Sequence, residues 1–213
     1  MRFTEMTTGF ARSVVLAFVM LSTVASNAMA GNVSVRVTDS AGQPLADAVV
    51  YLEATGKQAL PQTLRKADIE QKARKFAPLV TVVQVGTKVS FPNNDTVRHH
   101  VYSFSTPKVF ELKLYSGVPG APVVFDKPGT VVVGCNIHDQ MMAYIHIVDT
   151  PYFARTDASG MARIENVAAG KFALKSWHYL MTEPGQVQSQ TMVLATADTT
   201  ASVQVAVKSP TVR

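Results

Sequence analysis

From Phe76 to Val148 the chain is a succession of short β-forming runs, each cut off by a turn signal. Val80 to Val85 is apolar and ends at Gly86-Thr87. Lys88 to Phe91 alternates, and Pro92-Asn93-Asn94-Asp95 is a turn cluster. Arg98 to Phe104 is rich in β-formers, and Lys108 to Tyr115 alternates with Phe110, Leu112 and Leu114 on one side. Pro119-Gly120 and Pro128-Gly129 mark further turns; Val131 to Val133 runs into Cys135, and Ala143 to Val148 follows. Short strands at close, regular spacing fold as a β-sandwich or barrel. The expected class is all-β.

The flanks read as β structure of another kind. Val33, Val35 and Val37 alternate with Ser34 and Arg36, then Thr38-Asp39-Ser40-Ala41-Gly42 turns the chain towards a strand at Ala48 to Leu52. A similar turn, Thr156-Asp157-Ala158-Ser159-Gly160, lies far downstream, before Met161 to Ile164, the strand Lys171 to Trp177 and a last strand at Ala201 to Val207. Trp177 reads as core and His178 as a surface or interdomain residue. Residues 57–76 are polar and charged, and read either as a short amphipathic helix or as a solvated connector ending in an edge strand near Ile69.

The chemistry concentrates in Gly134-Cys135-Asn136-Ile137-His138-Asp139-Gln140-Met141-Met142. Cys135 is the only cysteine, a histidine follows three residues later, and a methionine three after that. Thiolate, imidazole and thioether are ligands that suit copper, and a His₂Cys set with a weak axial Met makes a blue-copper site. A second histidine must come from elsewhere, and Arg98-His99-His100-Val101 is the obvious source. Adjacent strand residues face opposite sides, so one of the two histidines is expected at the metal. Metal binding also explains an unpaired thiol in an exported chain. Ile137, Met142 and Pro119 are candidates for an apolar shell. His146, flanked by Tyr144 and Val148, reads as a surface or structural residue.

The start of the chain addresses it for export. Arg2 and Arg12, the apolar stretch Val14 to Val24 and the small-residue motif Ala28-Met29-Ala30 form a signal-peptide pattern with cleavage expected after Ala30. The apolar stretch falls short of the ~20 residues a membrane-spanning helix needs, and no later stretch is long enough. No membrane span is therefore expected in the mature chain, and the expected compartment is the periplasm. Removal of residues 1–30 takes the formal charge from +5 to +4. That mild, dispersed excess permits steering by an acidic partner. No nucleic-acid motif or concentrated basic patch accompanies it.

These motifs carry two resemblances. Phe76-x-Pro78, Val85-Gly86-Thr87-Lys88-Val89-Ser90-Phe91, Asn94-Asp95, His99-His100-Val101 and Cys135-x-x-His138-x-x-Met141 resemble the cupredoxins over roughly residues 67–149. The ligand-loop spacing matches that of amicyanins and is shorter than that of plastocyanins. The turn after the first strand, Pro44-Leu45-Ala46-Asp47-Ala48, and the Gly-x-Ala-x-Ile and Ala-Gly-x-Phe-x-Leu pieces resemble the carboxypeptidase-regulatory-like, prealbumin-type sandwich. The combination resembles exported proteins labelled methylamine utilization proteins. It implies a signal peptide (1–30), a discontinuous regulatory-like sandwich (31–60 and 151–213) and a Greek-key cupredoxin domain (61–150). It further implies one type 1 copper held by His99, Cys135, His138 and axial Met141, with His100 and Met142 as the alternatives to their neighbours, the amicyanin-like spacing favouring Met141. His100 stands where the family has an asparagine that ties the two ligand-bearing segments together.

Three functions are in competition. An electron carrier would serve a redox protein, for example a c-type cytochrome, without substrate turnover. A copper-delivery protein would use the same ligands to exchange metal. A Cys-His hydrolase would leave Met141 idle and lacks an oxyanion-hole signal. Too few histidines are present for a further catalytic copper cluster. The carrier, a non-enzyme, is the expectation, with delivery second.

Overall fold

Apolar residues spaced two apart leave this chain little choice but to pair strands, and it builds seventeen of them among the residues described. The structure, a computed structural model, describes residues 30–56, 66–183 and 187–208. The expected export signal, except for Ala30, and residues 57–65 of the polar connector lie outside those residues. In chain order the strands are β1 (Ala30–Thr38), β2 (Val49–Ala54), β3 (Lys66–Asp68), β4 (Glu70–Lys72), β5 (Lys75–Ala77) and β6 (Val80–Gln84). Next come β7 (Thr87–Ser90), β8 (His99–Ser105), β9 (Lys108–Tyr115), β10 (Val123–Phe125), β11 (Gly129–Cys135) and β12 (Met142–Val148). The last are β13 (Phe153–Arg155), β14 (Met161–Ala168), β15 (Gly170–Trp177), β16 (Gln188–Leu194) and β17 (Thr199–Gln204). The fold is all-β. No helix occurs among the described residues, so the helical alternative for the connector is not realised at residues 66–76, which form β3, β4 and most of β5.

Two apolar cores organise these strands. The five-stranded sheet β6-β12-β11-β8-β9 closes on the first core with the strands β10-β7-β3. Phe91, Phe125, Val101, Val133, Ile145 and Ile147 fill this core. The sheets β14-β1-β17 and β13-β2-β15-β16 enclose the second. There Val33, Val35, Leu52, Phe172, Leu174 and Ile164 are buried. The first strand of the chain pairs with the last in parallel, Val33 opposite Thr199 through Thr38 opposite Gln204.

Strand β12 belongs to both cores. Ala143, Ile145 and Ile147 point into the first; Val148 is buried in the second, and Tyr144 packs against it. A strand covered on both faces reads as one apolar run, because neither face needs water-loving side chains. The single polar residue in that run, His146, is buried where the two sandwiches meet. Its ring stacks on Trp177, with centroids 4.6 Å apart, and its Nδ1 lies 3.0 Å from the Thr130 hydroxyl. Of the two roles open to it in the sequence, the structure assigns it the structural one. His178 is also buried, its Nε2 3.1 Å from the Ala46 carbonyl oxygen, so the surface role does not hold for it.

One strand departs from its pattern. Phe110 and Leu112 turn inward as expected, but Leu114 is 45% exposed. A β-bulge is the cause: His99 faces Tyr115 and Val101 faces Leu112, so Lys113 and Leu114 together oppose one residue of β8. Tyr115 takes the inward place that Leu114 would have had.

Candidate metal centre

His99 opens β8 and points inward; Cys135 ends β11 beside it, bridged to Val101. The turn from β11 to β12 closes on itself, with the Met141 amide donating to the His138 carbonyl and the Cys135 amide to the Met141 carbonyl. The Asn136 amide donates to the His100 carbonyl at 3.0 Å, a backbone tie between the two segments. These bonds bring three donor atoms together. The Nδ1 atoms of His99 and His138 are 3.2 Å apart, and each lies 3.7 Å from the Cys135 sulfur. A point equidistant from the three is about 2 Å from each, within reach of the ~2.0–2.3 Å typical of metal–imidazole and metal–thiolate bonds. The trio is the only such group among the described residues.

The hydrogen-bond partners agree with a metal at that point. His99 Nε2 lies 3.1 Å from an Asp95 carboxylate oxygen. A proton held on Nε2 by that carboxylate leaves the Nδ1 lone pair directed at Cys135 and His138. Asp95 itself is fixed by the Arg74 amide at 2.7 Å and, through its own amide, by the Asn93 side chain. The Arg74 backbone donor, followed by His99, holds the Asp95 carboxyl below its ordinary value of 3.8.

The remaining expected residues divide as follows. Met141 is 2% exposed and packs in the same core as Cys135, whereas Met142 is 44% exposed and accepts a hydrogen bond from the Tyr144 hydroxyl. His100 faces the other side of the sheet, 2.8 Å from Glu111. Of the three residues expected in the apolar shell, Ile137 is 50% exposed in the turn, Met142 is partly exposed at the start of β12 where it shares a cavity wall with Cys135, and Pro119 is half-buried. The buried apolar surroundings of Cys135 are strand residues of the first core, Val101 and Val133 among them.

Four supporting residues carried no chemical signal in the sequence. Asn93, buried in the turn before β8, donates to the carbonyls of Val97 and Tyr115. Buried Gln71 donates to the Phe91 carbonyl and to the Tyr115 hydroxyl, which in turn donates to Phe91. Burial pushes the Tyr115 hydroxyl up to about 12, against the opposing effect of its hydrogen bond from Gln71. Asp95 stands in the sequence as part of the Pro92-to-Asp95 turn cluster and of the Asn94-Asp95 piece of the resemblance, with no role attached to its carboxylate.

No family model and no curated protein matches the chain. Parts of it are similar to solved structures. A purple cupredoxin from Nitrosopumilus maritimus is 23% identical with a TM-score of 0.32, covering 38% of this chain and 99% of its own. An amicyanin from Paracoccus versutus is 11% identical with a TM-score of 0.34, over 46% of this chain and 98% of its own. A copper-containing nitrite reductase from Thermus scotoductus is 25% identical with a TM-score of 0.37, over 54% of this chain but 28% of its own.

Proposed function

We propose that this chain is an exported blue-copper protein of cupredoxin type, carrying single electrons between redox partners. The observation that carries this reading is the triangle of two imidazole nitrogens and one sulfur, sized for a metal and built largely on strands. His99, Cys135 and His138 are the proposed ligands, with buried Met141 as the weak fourth. One copper bound there would supply one-electron cycling between Cu(II) and Cu(I), its potential tuned by the ligands and the apolar surroundings. Asp95 fixes the proton and orientation of His99. The backbone ties between Cys135, Met141, Asn136 and His100 hold the loop, so the donors need little rearrangement between oxidation states. His138, half-buried, puts an imidazole edge near solvent.

The rest of the reading follows from the sequence. The leader directs the chain to the periplasm, the flanking strands form a carboxypeptidase-regulatory-like sandwich, and no turnover of substrate is involved. A small redox protein such as a c-type cytochrome is the proposed partner. The mild positive charge favours an acidic partner face, with a rate that falls as salt rises.

Addition of Cu(II) to the purified mature protein tests the site. An intense visible band and a type 1 paramagnetic resonance spectrum are expected at one copper per chain. Reversible one-electron cycling with copper retained is expected of a carrier. Copper lost on reduction, or passed to an apo-protein while electron exchange stays slow, would transfer the reading to copper delivery. Zinc in a recombinant preparation would not decide the native metal, since zinc accepts the same Cys and His.

A further inference from the structure

The five-stranded sheet has two halves on its outer face. The second sandwich covers β6 and β12, while among the described residues nothing packs over the outer face of β11, β8 and β9. The open half carries a run of exposed apolar side chains. Phe104 is 81% exposed, Val109 63% and Val132 39%. Phe104 faces Val109 across β8 and β9, and Val132 faces Tyr144 across β11 and β12. Tyr102 lies beside Phe104, ring centroids 5.2 Å apart, and opposite Gly134. With Met142 these side chains make one band, continuous with the surface that the second sandwich already covers through Tyr144. Exposed apolar bands of this kind, with aromatic residues and methionine, mark protein contact surfaces.

The band reaches the candidate centre through the sheet itself. A cavity of about 460 Å³ opens between Tyr102, Phe104, Val132 and Met142, and its wall includes Cys135 and Met141. A side chain at Gly134 would put its Cβ 3.2 Å from the Tyr102 ring, so the glycine lets that ring lie directly on the backbone beside Cys135. Two carboxylates adjoin the band: Glu111 stands opposite Tyr102 across β8 and β9, and Asp139 shares the wall of the cavity. Charges stand at its rim, where His100 pairs with Glu111 and Lys108 with Asp126. Edge strand β9 carries Lys108, Glu111 and Lys113, the guard that discourages pairing with a second copy.

We infer that this open half-face is the docking surface for the protein redox partner, which seats an apolar patch on Tyr102, Phe104 and Val109. The inference rests on the carrier reading and adds the place of contact. The partner stands against the backbone at Gly134, on a face other than the one that carries His138.

The test uses the full mature chain, loaded with copper and reduced, and stopped-flow oxidation by a small acidic ferric c-type cytochrome. Ferricyanide serves as an oxidant that needs no docking surface. The Phe104→Ser/Val109→Thr double variant changes no charge and touches no core residue. Its rate with the cytochrome is expected to fall about tenfold or more, the loss of one well-packed anchor, while the blue spectrum and ferricyanide rate hold. Ile137→Ser, beside His138, is expected to leave the cytochrome rate within about twofold. An unchanged rate for the double variant, or the loss carried by Ile137→Ser, overturns the inference. So does sedimentation showing a wild-type dimer that the double variant dissolves, because the occupant would then be a second copy. A wild-type protein without a type 1 spectrum would sink the carrier reading itself, a result distinct from all of these.

Discussion

Adjacent histidines on β8 face opposite surroundings, and single substitutions separate them. His99 is sealed against Cys135 and His138, while His100 sits on the outer face beside Glu111. His99→Ala is expected to abolish the type 1 spectrum, and His100→Ala only to perturb it; visible absorption of copper-loaded variants reads the difference. Cys135→Ser should remove the thiolate-to-copper band even where metal is retained, and an intense blue colour surviving it would refute the ligand set. Asp95 acts one bond further out. Removal of a carboxylate that orients a ligating imidazole typically lowers metal affinity about 10–100-fold, and Asp95→Ala is expected in that range by chelator competition.

At the scale of elements, the turn before β8 holds His99 in place, and Asn93 is its pin. Its side chain satisfies two carbonyls and the Asp95 amide, and it is buried. Asn93→Ala strands those groups, at an expected cost of about 2–3 kcal/mol by urea denaturation of the metal-free protein. Strand by strand, the sequence was most legible where one face is dry and the other wet: β1, β7 and the first part of β9 follow their alternation. Strand β16 is not legible along the chain, because most of it is exposed and polar and leaves no period to read. The bulge that exchanges Leu114 for Tyr115 is a property of two paired strands, so neither strand alone announces it. For the same reason the Cys135, His138 and Met141 spacing was plain along the chain, while Gln71 and Asn93 became visible only when distant segments met.

At the scale of the whole molecule, the join between the sandwiches should be acid-sensitive. Burial pushes His146 from its ordinary 6.5 down to about 4. The unfolded chain therefore binds more protons than the folded one between those values, and stability rises with pH across that window. Acidification from pH 7 to 4 should cost up to about 3 kcal/mol from this residue, and His146→Phe should flatten that part of the profile. Urea midpoints measured against pH provide the check. Tyr51, Glu53, Thr130, Asp149 and Trp177 share the same cavity, so the substitution should be read alongside Asp149→Asn.

The parallel pairing of β1 with β17 has a consequence for how the chain matures. Strand β2 ends at Ala54 and β13 begins at Phe153, and the two are neighbours in one sheet. The described residues between them, from Lys66 on, build the first core, while β6 and β12 also pack on the second. During synthesis β1 and β2 emerge first, but their partners, β14 and β17 for β1 and β13 and β15 for β2, all follow β12. Contacts so distant along the chain form slowly. The first core can therefore form, bringing His99, Cys135, His138 and Met141 together, while both outer strands are still unpaired.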